Sequence, residues 1–166
     1  MRHRLGHRLG CSPGFTLVEL LAAVVVLGVL LAVALPSFNN SLRKSRRSDA
    51  VSALTAVQQA QERWRSLHPA YAADSDLSVA APTGLGLSST TSSGAYGIAI
   101  TSFDPPDNAI GYIVTAATSS TGPQSGDAAC ANMGVKVRSG NIQYGAAAAA
   151  IDWSATDPDP NRCWNR

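Results

Sequence analysis

Between Phe15 and Leu35 the sequence reads FTLVELLAAVVVLGVLLAVAL, an apolar run carrying one charge, Glu19. Coiled as a helix at about 1.5 Å per residue it reaches about 31 Å, enough to cross the hydrocarbon core of a bilayer. Arg2, Arg4 and Arg8 precede it, which favours an N-terminus held in the cytoplasm. Arg43, Lys44, Arg46 and Arg47 follow it and outnumber those three, so charge balance alone does not fix the orientation.

Glu19 is costly where it stands. A carboxylate at the centre of an apolar helix costs roughly 2.5–3.5 kcal/mol on insertion scales, and less near the interface. No Lys, Arg or His lies between Phe15 and Leu42. The carboxylate either sits among headgroups or takes a cation from another segment, another chain or a newly made N-terminal amine.

Gly14-Phe15-Thr16-Leu17-Val18-Glu19-Leu20, placed after a short basic leader and before the apolar run, resembles the class III signal of type IV prepilins. The resemblance implies cleavage between Gly14 and Phe15 by a prepilin peptidase and methylation of the new Phe15 amine. It also implies an assembly role for Glu19, paired with the N-terminal amine of a neighbouring subunit. An ordinary secretory signal is the competing expectation: Leu20 to Leu31 would be its apolar core, and Ala32-Val33-Ala34 matches the A-x-A pattern. Cleavage after Ala34 would release a soluble binding domain. Lipidation at Cys11 fails because no apolar segment precedes that cysteine.

Gly28 and Pro36 are expected to curve or kink the helix, because glycine adds backbone freedom and proline removes a donor. In the resembling family this stretch loosens when the subunit packs into its filament. Beyond Pro36 the pattern turns amphipathic: Val51, Leu54, Val57, Gln61, Trp64 and Leu67 recur at helical spacing, opposite Asp49, Ser52, Gln59, Glu62 and Arg63. Pro69 is expected to close the helix, and Trp64 to be core. Residues 69–94 read as a loop. Strands are expected over 95–101, 110–118, 133–139 and 141–144, with a hairpin at Ser139-Gly140-Asn141 and a turn at 104–108. The expected fold is α+β, a long N-terminal helix on a sheet of three or four antiparallel strands. Its segments are a leader (1–14), a membrane-spanning and filament-core helix (15–36), an amphipathic continuation (37–68) and a head (69–166), with the sheet over 95–144.

With Cys11 in the leader, Cys130 and Cys163 remain as a pair, which is expected to be oxidised if it lies outside the cytoplasm. The resemblance implies the same bond, since a disulfide bounds the variable C-terminal region of pilins. Closing that loop contributes roughly 3.5–4 kcal/mol in the chain-entropy model. Gln124, Asp127 and Cys130, with Cys163-Trp164 near the end, look most like PilE-type minor pilins.

Other chemistry is sparse. Charged residues make up only 14% of the chain, against about 25% in an ordinary soluble domain. From Ser48 onward six basic residues face ten acidic ones, a balance that disfavours general phosphate binding. The run Arg43, Lys44, Arg46, Arg47 is the candidate patch for anionic ligands, with lipid or subunit contact expected and DNA the alternative. Asp152, Asp157 and Asp159 lack the spacing and glycine turn of a calcium loop, so no metal and no cofactor is expected. After Gly14 the one histidine is His68, expected at the surface. No activated-serine, Cys-His, phosphate-loop or dinucleotide signature accompanies it, so no enzyme is expected.

The expectation is a structural subunit of a type IV pilus, a minor pilin, serving adhesion, twitching motility or DNA uptake. A type II secretion pseudopilin and a DNA-uptake pilin are the alternatives. Its partners would be other pilin subunits, prepilin peptidase, the inner-membrane assembly machinery and, before assembly, lipid. The precursor would sit in the inner membrane, head periplasmic, before joining an extracellular pilus.

Overall fold

The computed structural model describes residues 14–102 and 109–164 of the chain. Residues 1–13 of the expected leader and the turn expected at 104–108 lie outside the described residues. The chain divides into two compact units, one ending at Asn40 and the other beginning at Ser41.

Helix α1 spans Leu17–Arg65, 49 residues, and its first half lies in the first unit. It runs unbroken through Gly28 and through Pro36, the one long helix expected. Proline removes one main-chain donor, the one that would reach the Ala32 carbonyl, and the bonds on either side carry the helix past it. Among the described residues of this unit every large apolar side chain is exposed, from 49% at Leu31 to 87% at Phe15. The segment is long and apolar enough to cross a membrane.

In the second unit α1 buries Ala50, Leu54, Val57, Ala60 and Gln61, one face at spacings of three and four. Gln61 is tolerated there because its amide is fully satisfied: Nε2 donates to the Ala72 carbonyl and Oε1 accepts from the Ala72 N–H, both at 2.9 Å. Val51 and Trp64 pack on the same core half-buried. Leu67, expected on this face, is 77% exposed, because the helix stops at Arg65 and the chain turns away. His68 is half-buried rather than freely exposed. Its ring stacks on Trp64 with centroids 3.8 Å apart, and its Nδ1 lies 3.0 Å from the Trp64 carbonyl.

Four strands follow: β1 (Tyr96–Ser102), β2 (Gly111–Thr118), β3 (Asn132–Arg138) and β4 (Asn141–Ala147), antiparallel and adjacent in chain order. Alternation puts Ile98, Ile100, Tyr112, Val114, Ala116, Met133, Val135 and Val137 in the core. Register pairs them across strands as Ile100↔Val114, Val114↔Val135 and Ala116↔Met133. The β3–β4 turn has Ser139 at φ 47° and Gly140 at φ 80°, the left-handed pair of a type I′ hairpin. β4 runs three residues beyond its expected end at Tyr144, because the alanines from 146 fit where the core is tight: Ala146 is fully buried.

Both sheet edges are covered. Ile98 N–H donates to Ser89 O at 2.7 Å and Ile100 N–H to Asp74 Oδ1 at 2.7 Å, so the 69–94 loop shields β1. On β4, Ala146 N–H donates to Pro158 O and Trp164 Nε1–H to Gly145 O, both at 2.8 Å. Covered edges resist pairing with foreign strands.

Candidate functional site

At the start of α1, Thr16 precedes the first helical residue, and its Oγ1 accepts the Glu19 N–H at 3.2 Å. Thr16 thus caps the helix through its hydroxyl, and Glu19 in the first turn puts a negative charge where the helix dipole favours one. Glu19 is exposed. The T-x-x-E spacing ahead of an apolar run was the available signal for this local role, one that reading Glu19 only as an assembly residue leaves out.

The four-residue basic run does not stand together as a free patch. Arg47 donates to Asp127 through Nε–H at 2.6 Å and Nη2–H at 2.5 Å. Arg46 donates to the Pro123 carbonyl. The Arg43 carbonyl accepts from Gln124 Nε2 at 3.2 Å. Gly126 lies so close under the Arg43 guanidinium that a β-carbon there would stand 2.9 Å from Nη2. Three of the four basic residues therefore hold one short turn, 123–127, against α1. Gln124 and Asp127 are buried in that turn and bonded to each other at 2.7 Å. The bond to Asp127 raises the Arg47 pKa further above its ordinary value. Lys44 is exposed.

The C-terminal region is closed by the Cys130–Cys163 disulfide, Cα atoms 5.8 Å apart. Asp159 caps the returning chain, its two oxygens accepting from Cys163 N–H at 2.9 Å and Trp164 N–H at 3.0 Å. Trp164 meets Tyr144 edge-on at 4.9 Å. Asp152 accepts from the Ser154 N–H and hydroxyl, and Asp157 from the Asp159 N–H, so these carboxylates serve local turns. Among the described residues no three His, Cys, Asp or Glu side chains gather in a metal-ligating group.

Asp49, expected on the solvent face of α1, also fastens the head. It accepts from Ser92 Oγ at 2.8 Å and from Ser93 N–H at 3.1 Å and Ser93 Oγ at 2.5 Å. The Ser93 hydroxyl, more than any other group, holds its carboxyl below the ordinary value.

Helix, antiparallel sheet and disulfide-bounded C-terminal region agree with the pilin fold, and the sequence comparisons agree with the fold. Residues 36–134, more than half of the chain, match the profile of the family described as type IV minor pilin ComP, DNA uptake sequence receptor. The chain belongs to this family. Residues 11–35 match the prokaryotic N-terminal methylation motif, which places that motif at the start of this pilin's apolar helix. The chain is similar to type IV major pilin protein PilA of Myxococcus xanthus (strain DK1622), 38% identical over 55 residues, 33% of this chain and 25% of the relative. It is also similar to fimbrial protein Q of Moraxella bovis, 35% identical over 48 residues, 29% of this chain and 31% of that protein. The matched stretches span only about a quarter to a third of these two pilins.

Proposed function

We propose that this pilin is a non-catalytic minor subunit of a type IV pilus, made as a membrane-anchored precursor and assembled through its N-terminal helix. One observation carries the reading most: the apolar half of α1 is exposed along its whole length. A surface of that kind needs lipid first and other helices afterward, since large apolar surfaces left in water drive association. In this reading prepilin peptidase cuts between Gly14 and Phe15, the Phe15 amine is methylated, and Glu19 pairs with that amine on a neighbouring subunit. The assembly machinery of the inner membrane draws the subunit into the fibre. The missing donor at Pro36 and the backbone freedom at Gly28 let the helix loosen there on packing.

Intact mass of the mature protein tests the reading directly. A chain beginning at methylated Phe15 agrees with it, while a chain beginning at Leu35 would make the protein a soluble exported domain. Glu19→Ala with processing intact is expected to lose entry into filaments. Thr16→Val, which removes the cap but keeps the carboxylate, is expected to enter them. Equal entry of the Glu19 variant and the parent would remove the pairing role.

A second reading, DNA uptake, is supported by the matched family's description as a DNA uptake sequence receptor. Arg46 and Arg47 already hold the 123–127 turn, so replacing them would disturb the head before it tested DNA binding. Lys44→Gln alone is the clean substitution in the run, and DNA retention by purified filaments is its readout.

A further inference from the structure

A cleft of about 750 Å³ opens within the second unit, between α1 and the disulfide-closed C-terminal segment. Lys44, Arg47 and Ser48 line it from the helix, Tyr144 from β4, and Arg162 and Trp164 from the segment beside the disulfide. The matched family segment ends at residue 134, so the β4 and C-terminal wall lies outside it. The helix wall with Lys44, Arg47 and Ser48 lies inside the matched segment, and Arg162 is added from outside it.

Its charges are unevenly committed. Arg47 spends Nε and Nη2 on Asp127, and its Nη1 is left over. Asp159 directs both carboxylate oxygens at main-chain N–H groups. Lys44 and Arg162 are exposed, and neither side chain has a hydrogen-bonding or ion-pair partner among the described residues. Arg162 is also held at φ 50°, a left-handed conformation disfavoured for a residue with a side chain. The Cys163 bond next to it and its own N–H to Asp159 O contact, at 3.0 Å, fix it there. Residues held in sparsely populated backbone conformations cluster at ligand-binding and other functional sites.

We infer that Lys44, Arg47 and Arg162, with the Ser48 hydroxyl, form a binding site for the phosphate group of a small phosphate ester. An ammonium, two guanidinium groups and a hydroxyl offer donors from several directions, which suits a tetrahedral anion with several acceptor oxygens. A planar carboxylate would leave more of them unused. The volume exceeds a bare phosphate and lies in the range of small-ligand clefts. The remainder of the ester lies along the wall of Val51, Tyr144 and Trp164. The ester is either a soluble molecule or the glycerophosphate of an anionic lipid, and both present the same group. The inference goes beyond the pilus reading and stands or falls separately from it.

The test uses the full chain in maltoside micelles, titrated calorimetrically with inorganic phosphate, glycerol 1-phosphate and acetate. Binding of the two phosphates, with acetate weaker, is expected. Lys44→Gln/Arg162→Gln is expected to weaken it by about tenfold or more, with an unchanged circular dichroism spectrum. Repeating the glycerol phosphate titration after reconstitution separates the sources. Loss of binding in phosphatidylglycerol vesicles but not in phosphatidylcholine vesicles assigns the site to the lipid headgroup, and retention in both assigns it to a soluble ester. No binding in micelles, equal binding of acetate, or binding unaffected by the double substitution would overturn the inference. So would capture of duplex DNA by a chain that ignores both phosphates. None of these results bears on filament entry, so failure here leaves the pilus reading intact.

Discussion

Arg47 and Asp127, 80 positions apart in sequence, meet through two hydrogen bonds of 2.6 and 2.5 Å. The carboxylate side chain is 4% exposed and the guanidinium 24%, so the pair fastens α1 to the 123–127 turn at the margin of the core. Removing either partner leaves the other charge with unmet hydrogen bonds.

Arg47→Gln and Asp127→Asn are each expected to destabilise the head by roughly 1.5–3 kcal/mol, the range for hydrogen bonds to charged groups. Arg47→Lys should recover only part of the loss, because an ammonium cannot reproduce the two-pronged contact. Urea unfolding of the full chain in detergent checks this. A double variant whose loss equals the sum of the single losses would show that the two residues are not coupled.

Cys130→Ser/Cys163→Ser opens a loop with a sequence separation of 33. A loss of roughly 3.5–4 kcal/mol is expected from chain entropy. The far wall, where Cys163, Trp164 and β4 meet, should loosen first. Limited proteolysis should then cut between residues 148 and 162 in the reduced protein and spare the oxidised one.

Asp49 gives the head an acid-sensitive fastening. Its folded pKa lies below its ordinary 3.8, so its contribution is complete above that value and is lost as pH falls through the folded pKa. Asp49→Asn should therefore be less stable than the parent near neutral pH. The difference should shrink as acid protonates the parent's carboxyl. Unfolding midpoints of both proteins between about pH 7 and about pH 2 provide the measurement.

Tyr112 is fully buried, its ring is tilted against Tyr71 at 4.9 Å, and its hydroxyl has no hydrogen-bond partner among the described residues. Burial pushes the phenol pKa well up, so it stays neutral. Tyr112→Phe removes an unsatisfied polar atom while keeping the ring. It is expected to be neutral or to stabilise the head by up to about 1 kcal/mol, read as an unchanged or raised thermal midpoint.

Much of the fold was legible because it rests on local pattern. The three-and-four spacing of Val51, Leu54, Val57 and Gln61 marked the buried face of α1, and alternation in Tyr112–Val114 and Val135–Val137 marked strands. The errors are local as well. Leu67 continued a period that the chain had already left at Arg65. β4 outran its expected end because small side chains suited a tight core better than strand propensity indicated. The helix, by contrast, continues past Pro36 as expected, because one missing bond is a small deficit in a helix of 49 residues.

By itself the sequence determined that an apolar helix with one carboxylate precedes an amphipathic one, that a small sheet follows, and that two cysteines remain to pair. Those properties depend on neighbours within a few positions, where helical or strand geometry converts spacing into direction. Only the tertiary structure decided what the charged residues do. Arg43, Arg46 and Arg47 read as a patch because they are adjacent in the chain, yet their partners lie near position 125. Asp49 read as solvent-facing, yet it holds Ser92 and Ser93. Periodicity carries no information about which distant backbone atoms a long polar side chain will reach. That choice is made when helix, turn and loop are brought together by the burial of the core.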